Sequence, residues 1–525
     1  MDRGGIALRQ KIARVVISLS NKEGALFLAS KLAGLGIEIV STGGTASKLR
    51  EGGIEVVELS NYTGFPECLD GRVKSLHPKV HGGILAVRSN SEHMSKVEEL
   101  DIKLIDMVII NLYPFKETIN RSGSTLGEAI ENIDIGGPAM IRSAAKNYKD
   151  VAVVVDPADY EGIIAELEEN NATLSESSKE ALACKAFRYT ANYDSMIASY
   201  LPGAFKLDRD EFPTEKIISL SKVADLRYGE NPHQRSAYYR EMSNGDSTAE
   251  MANQLNGKEL SYNNIVDMLE AYSLVQEFEG PSCAIIKHTN PAGCATSESS
   301  LKSYKLALAT DSISAFGGVV AFNSEVDAEV ATELNKLFLE IIIAPSYSSE
   351  ALAILKQKKN LRLIEKKLRV DKVRRIDLKI IDGIALLQEE DSPTIIESNL
   401  KVVTDRTPTK EERLALMFGW KVAKHTKSNA IVYSTTHATI GVGAGQMSRV
   451  DSAQIGIIKG GDAIKGSAMS SDAFFPFRDA VDQAASVGVT AIIQPGGSIN
   501  DKEVIKAANE HNIAMIFTGL RHFKH

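Results

Sequence analysis

Residues 13–44 read ARVVISLSNKEGALFLASKLAGLGIEIVSTGG, and the order of patterns in this stretch decides the fold class. A β-branched run is followed by apolar residues at helical spacing, with Asn21 placed to cap the helix, and then by a second β-branched run. IEVVEL (54–59), IDMVIIN (105–111) and DVAVVVD (150–156) read as further buried strands, again separated by helical segments. Alternation of this kind, sustained over residues 14–200, implies right-handed crossovers and a parallel α/β sheet. Ligands of such sheets gather beyond the carboxyl ends of the strands.

At 525 residues the chain exceeds what one hydrophobic core usually supports. We place a first domain at 1–201, ending in a long helix over 175–201. A linker follows at 202–216, which carries two prolines and mixed charge, and a second mixed α/β region spans 217–525. That region carries an internal echo: AIIKHTNPAG (284–293) and AIIQPGGS (491–498) both run into Pro/Gly turns, and AIVYSTTHATIGVGAG (430–445) is a further strand with a polar exit. The charged stretch 356–375 reads as a solvated face or connector, since it lacks stacking aromatics.

A net charge of −8 disfavours bulk attraction to nucleic acid or anionic membrane. No apolar run approaches the roughly 20 residues that span a bilayer, so a soluble, cytoplasmic protein is expected. Cys68, Cys184, Cys283 and Cys294 are widely spaced and form no CxxC, which points to reduced thiols.

Polar residues cluster at the expected strand exits. Ser20-Asn21-Lys22 and Ser41-Thr42-Gly43-Gly44-Thr45 would offer backbone N–H groups at helix N-termini, which suits a phosphate. GRVKSLHPKVHGG (71–83) adds Arg72, Lys74, His77, Lys79 and His81 among turn formers, and three such loops favour a phosphate-and-base pocket. Asn111 and Tyr113 follow the fourth strand, and Asp134 precedes a Gly-Gly-Pro helix start. Arg142 and Lys146 share one face of that alanine-rich helix. Packing there would desolvate the Lys146 ammonium and favour a proton-shuttling amine.

In the second region DLRYGENPHQR (225–235) gathers Arg227, Tyr228, Asn231, His233 and Gln234. KHTNPAG (287–293) is the sharpest feature, with Ile285 and Ile286 leading into Lys287-His288 and Asn290-Pro291 turning the chain away. The neighbouring ammonium disfavours a second positive charge, leaving the imidazole of His288 able to accept a proton while Lys287 stabilises an anion. Alternate strand residues face opposite ways. Both groups can serve one site only if the strand has ended. SAFGG (314–318), Glu340, KSN (427–429), GAGQMSR (443–449) and SSDAFFPFRD (470–479) continue the series. The three phenylalanines of the last would form a slot for a flat heteroaromatic ring, or a piece of core. The chain ends GLRHFKH, an unusual place for Arg521 and His522 unless the tail is docked. Neither a Walker motif nor a zinc-deaminase HxE…PCxxC pattern occurs.

STGGT, GRVKSLHP, NLYPF, IDIGG, RSAAKN, LRYGENPHQ, KHTNPAG, SAFGG, GAGQMSR, SSDAFFPFRD and RHFKH stand in this order along nearly the whole chain. Together they resemble the bifunctional 5-aminoimidazole-4-carboxamide ribonucleotide (AICAR) formyltransferase/IMP cyclohydrolase family. The resemblance implies a methylglyoxal-synthase-like first domain and two cytidine-deaminase-like α/β units without zinc. It implies formyl transfer from the co-substrate 10-formyltetrahydrofolate to AICAR, then dehydrative closure of formyl-AICAR to IMP, with no catalytic metal and a homodimeric assembly.

For transfer it implies His288 as base and Lys287 as oxyanion partner, with Asn429 nearby. Arg227, Tyr228, Gly317, Glu340, Arg449, Phe474 and Arg521 would hold AICAR, and Asp479 and Ser498 folate. For closure it implies Lys146 as proton shuttle with Lys74, Tyr113 and Asp134 polarising the reacting groups. Ser20, Lys22, Thr42, Gly43, Gly44, Thr45, Arg72, Ser75 and Asn111 would hold nucleotide and phosphate. The first loop, SLSNKEG, departs from the family's SVSDKTG while keeping Lys22. A nucleotide-binding regulatory or scaffold protein that has lost activity, or an enzyme of one activity with closure impaired by that loop, are the competing readings.

Overall fold

A computed structural model describes residues 10–207, 212–241, 252–369, 376–392 and 397–525. Residues 208–211 of the expected linker and 370–375 of the charged stretch lie outside the described residues. Near Ser221 the chain divides into two compact units.

The first unit is built on strands β1 (Arg14–Leu19), β2 (Glu38–Ser41), β3 (Val57–Glu58), β4 (Met107–Asn111) and β5 (Ala152–Val154). They lie in the order β3-β2-β1-β4-β5 with every pair parallel. Val15, Ile17, Ile39 and Ile109 face one core, and Val16, Val40, Val108 and Ile110 the other. A sheet covered on both faces needs this continuous β-branched pattern. Each fully buried Val or Ile contributes roughly 1.5–3 kcal/mol.

Asn21 does not cap the first helix, which spans Ala25–Gly34 with Gly24 in the left-handed region at its start. Its side chain instead accepts a hydrogen bond from the Glu23 amide, closing a turn one step earlier. The long helix runs Glu176–Ala204, passing through Pro202 into the stretch expected as linker. So close to a helix end the proline removes only one internal hydrogen bond.

The second unit opens on a small two-stranded sheet, β6 (Leu220–Leu226) with β7 (Ser236–Glu241). Next come β8 (Asn253–Asn256), β9 (Ser282–Lys287), β10 (Asn290–Thr296), β11 (Gly318–Phe322), β12 (Leu339–Ala344) and β13 (Arg362–Glu365). A hairpin follows, β14 (Ile376–Ile381) and β15 (Ile384–Glu389). The last set is β16 (Lys401–Val402), β17 (Ile431–Ser434), β18 (Thr439–Gly443), β19 (Ala468–Ser471), β20 (Ala491–Gln494) and β21 (Ala514–Phe517).

The two six-stranded sheets have the orders β10-β9-β11-β12-β13-β8 and β18-β17-β19-β20-β21-β16. Along each, the pairings run antiparallel, antiparallel, parallel, parallel, antiparallel. The internal echo is therefore a repeated topology, with a changed correspondence. AIIKHTNPAG, the β9–β10 hairpin, matches AIVYSTTHATIGVG, the β17–β18 hairpin, while AIIQPGGS occupies the place of β12. Edge strands β10 and β18 meet through an Ala295–Ala438 bridge and a bond from the Cys294 amide to Thr439 Oγ1 at 2.9 Å.

Part of the charged stretch is not solvated. Residues 362–365 form β13 between β12 and β8, with Leu363 and Ile364 in the core. Its Arg362 is buried against Glu340 and the Glu259 carbonyl.

Candidate active sites

In the first unit the carboxyl ends of the strands open on a cavity of about 500 Å³. Thr42, Arg72, Lys74, Ser75, Tyr113 and Asp134 line it, with Glu67, Glu131 and the Gly136–Gly137 helix start. Asp134 accepts a hydrogen bond from the Gly137 amide at 2.8 Å. Burial pushes its carboxyl up, against the Gly137 and Tyr113 amides and the Lys74 charge, which pull it down. Any Cβ on Gly137 would stand 2.6 Å from Asp134 Oδ2 and 2.7 Å from Leu112, so glycine is required for this approach.

The helix Gly43–Glu51 starts with its N-terminal amides uncapped by a side chain. The Lys74 ammonium lies 3.8 Å from a Cβ position on Gly43, and that of Lys22 lies 3.9 Å from one on Gly44. Two cations thus stand beside an uncapped helix N-terminus, an arrangement whose electrostatics favour negative charge.

Other expected contacts serve the frame. Asn111 accepts from the Ser20 and Asn21 amides and donates to the Asn21 carbonyl, so its amide holds the first loop. Thr45 Oγ1 is likewise committed to the Leu19 backbone. Arg72 is ion-paired with Glu131.

Lys146 departs from the expected desolvation. It is exposed at the far end of the helix Gly136–Lys146, outside the cavity lining. At 1.5 Å per residue it stands ~9 Å further along the axis than Met140, the last helical residue of the lining. The neighbouring alanines, 144 and 145, are the ones that pack.

In the second unit β9 ends at Lys287, and His288 and Thr289 both adopt positive φ, 52° and 64°. This two-residue turn, not Asn290-Pro291, reverses the chain. Pro291 instead lies on the edge strand β10, where no ladder amide is needed from its outer side. The strand has thus ended where a shared site requires it. His288 is exposed, and the Lys287 ammonium donates to the carbonyls of Gly317 at 2.8 Å and Phe316 at 3.2 Å.

A second group forms around Arg449. Its guanidinium meets Asp472, Ser471 Oγ at 3.0 Å and Asn429 Oδ1 at 2.8 Å. The Asn429 amide nitrogen donates to the Gln446 and Met447 carbonyls. The tail docks here: the His522 amide donates to the Asp472 carbonyl, and the Lys524 amide to Ser428 Oγ. Asp472 went unnoticed in the sequence although SSDAFFPFRD contains it.

The phenylalanine slot does not form as a trio, since Phe475 is core while Phe474 and Phe477 are exposed. Arg227 folds over Tyr228 at 4.8 Å, and Gln234 closes that loop onto Asn231. Glu340 pairs with Arg362 at 2.7 Å. Asp479 begins the helix Asp479–Ser486, and Ser498 sits in the turn after β20, bonded to Asp501. Among the described residues no group of three His, Cys, Asp or Glu side chains could hold a metal ion.

A model of the AICARFT/IMPCHase bienzyme matches residues 144–459, and one of the MGS-like domain residues 24–139. A bifunctional purine biosynthesis protein PurH of Acetivibrio thermocellus is 51% identical over 516 residues, which cover 98% of this chain and 100% of that protein. Its namesake from Neisseria gonorrhoeae is 52% identical over 524 residues, covering 98% and 99%.

Proposed function

The chain belongs to the AICARFT/IMPCHase bienzyme family, and from that premise we propose how its residues divide the two reactions. The enzyme performs the last two steps of IMP synthesis. The AICAR 5-amino group takes the formyl group of 10-formyltetrahydrofolate, and formyl-AICAR then closes its ring with loss of water.

We assign closure to the first unit. One observation carries this: Asp134, Lys74 and Tyr113 share a cavity whose rim holds an uncapped helix N-terminus flanked by Lys22 and Lys74. The phosphate rests on the Gly43–Gly44 amides. Asp134 accepts the proton as the carboxamide nitrogen attacks the formyl carbon, and Lys74 and Tyr113 donate toward the oxygen that leaves as water. Holding both reacting groups of one molecule in place supplies much of the rate. Lys146 enters through the family resemblance alone.

We assign transfer to the second unit. His288 removes the proton from the attacking amine. The Lys287 ammonium has spent two of its three donors on the 316 and 317 carbonyls, which leaves the third for the oxyanion. Arg449, Arg521, Arg227, Tyr228, Glu340, Gly317 and Phe474 hold AICAR, with Asn429 fixing Arg449, and Asp479 and Ser498 contact folate. The matching sheets support two deaminase-like units lacking zinc. Exposed Phe316, Phe338, Met447 and Ile499 support burial against a second copy as a homodimer. Among the described residues no helix is long and apolar enough to cross a membrane, in keeping with a cytoplasmic enzyme.

The test supplies AICAR and 10-formyltetrahydrofolate and follows formyl-AICAR and IMP. IMP is expected; lasting accumulation of formyl-AICAR would favour an enzyme of one activity. His288→Ala should stop transfer and spare closure of supplied formyl-AICAR, and Asp134→Asn should do the reverse. Loss of both reactions in either folded variant would overturn the division.

A further inference from the structure

The helix Glu176–Ala204 presents Tyr189 and Tyr193, four residues apart and so on one face. Neither belongs to the cavity lining. Tyr189 Oη accepts a hydrogen bond from the Leu112 amide at 3.0 Å. Tyr193 Oη accepts from the Asp134 amide at 2.9 Å and donates to the Asn132 carbonyl at 3.0 Å. Leu112 immediately precedes Tyr113, whose own amide bonds the Asp134 carboxylate. One helix face therefore grips the loop after β4 and the loop that precedes the helix Gly136–Lys146, the two that bring Tyr113 and Asp134 to the cavity.

The Tyr193 ring is 4% exposed and sets its edge against Phe115, with centroids 6.3 Å apart. Apolar packing alone would be served as well by phenylalanine. What the hydroxyls add is a partner for two main-chain amides, one of them that of Asp134 itself.

We propose that Tyr189 and Tyr193 are positioning residues for ring closure, holding Tyr113 and Asp134 at the geometry in which they meet formyl-AICAR. This rests on the reading that Asp134 acts in closure. It extends the active centre to a helix that the sequence motifs left out. Replacing tyrosine by phenylalanine keeps the packed ring and removes only the hydroxyl. The Asp134 amide then loses its partner, and the loop relaxes away from the substrate.

The experiment compares the wild type with Tyr193→Phe, Tyr189→Phe, the double variant and Asp134→Asn. Closure of supplied formyl-AICAR, formyl transfer and thermal unfolding are measured on each full-length protein. Tyr193→Phe should lower kcat for closure by about tenfold, the scale of one lost hydrogen bond to a poised group. KM should stay within about twofold, because the anion contacts lie on other elements. The double variant should lose more kcat, and transfer should be unchanged. If Asp134→Asn closes the ring normally, the underlying reading fails and the proposal falls with it. If Asp134→Asn is inactive while the double variant keeps wild-type kcat, the positioning role itself is overturned. A fall in transfer that tracks the loss of folded protein would also overturn it, as a merely structural effect.

Discussion

Asp472 offers the most direct check on the second unit's arrangement. It is 0% exposed and its partner Arg449 is 8% exposed, so solvent does not screen the pair. The carboxylate receives the Arg449 guanidinium and the Ser428 hydroxyl, while the Asp472 carbonyl receives the tail through the His522 amide. Asp472→Asn keeps the volume and removes the charge. Breaking a buried pair from one side costs about 3–5 kcal/mol, because the remaining ion stays desolvated. Arg449 retains Ser471 and Asn429, so we expect the lower end, about 3 kcal/mol. Trp420, the one tryptophan in the chain, is 3% exposed within this unit and reports its unfolding in urea by fluorescence. The midpoint should fall, and KM for AICAR should rise by about tenfold or more as Arg449 loses its fixed orientation. Ring closure should be untouched. A variant that unfolds at the wild-type urea concentration and keeps its KM would refute the reasoning, since a buried and unscreened pair cannot be neutralised without consequence.

Three further outcomes follow from the geometry. Lys74→Gln removes a charge that lowers the Asp134 carboxyl; that group should move further up, so the acid limb of the closure rate should shift to higher pH, and a limb that stays or moves down would contradict the pairing. Burial would raise the Glu277 carboxyl, but His425 and Lys424 overcome it and hold it down to about 2. Its folded value lies below the unfolded one of about 4.3, so its contribution is complete above that pH and is lost as pH falls toward about 2, on the order of 3 kcal/mol in all. Glu277→Gln should give that stability up already at pH 7 and flatten the acid dependence seen in urea melts. Gly293→Ala would put a Cβ 1.9 Å from the Ala307 carbonyl oxygen, and its loss of stability should reach the upper end of the roughly 1–3 kcal/mol typical of overpacking; an unchanged melt would mean that β10 can move off its helix.

The first sheet was legible because its central strands are buried on both faces, which writes runs rich in β-branched residues into the sequence there. The turn from β2 into the helix Gly43–Glu51 was legible for a related reason: Thr42, Gly43 and Gly44 are the residues a strand-to-helix turn needs. What stayed hidden was pairing at a distance. Glu131 faces Arg72, Arg362 faces Glu340, and Asp472 faces Arg449, and no local pattern marks a charge whose partner comes from another element. Lys146 shows the opposite error. An alanine-rich helix announces that some face is packed, but only the three-dimensional fold says which one. The phenylalanines of 474–477 were divided in the same way, Phe475 pointing into the core and its neighbours to solvent.

The repeated topology of the second unit supplies an internal control on where its chemistry lies. In both sheets the edge strand carries a glycine so that the following helix can approach. A Cβ on Gly293 would meet Ala307 O at 1.9 Å, and one on Gly443 would meet Ser452 O at 1.8 Å. The packing solution is thus shared, and it explains why both hairpins keep their form. The turns differ. Between β17 and β18 the connection takes four residues, 435–438, none with positive φ. Between β9 and β10 it takes two, and both His288 and Thr289 sit in the left-handed region without being glycine. Each such residue costs on the order of 1–3 kcal/mol, and strain of this kind persists where surrounding structure holds it for a purpose. Glycine or asparagine would relieve it in a turn of this type. That the tighter, strained turn occurs in one sheet only, and places an exposed imidazole directly after a lysine anchored at the neighbouring strand end, is the physical reason for assigning proton transfer to His288 and not to the matching turn of the second sheet.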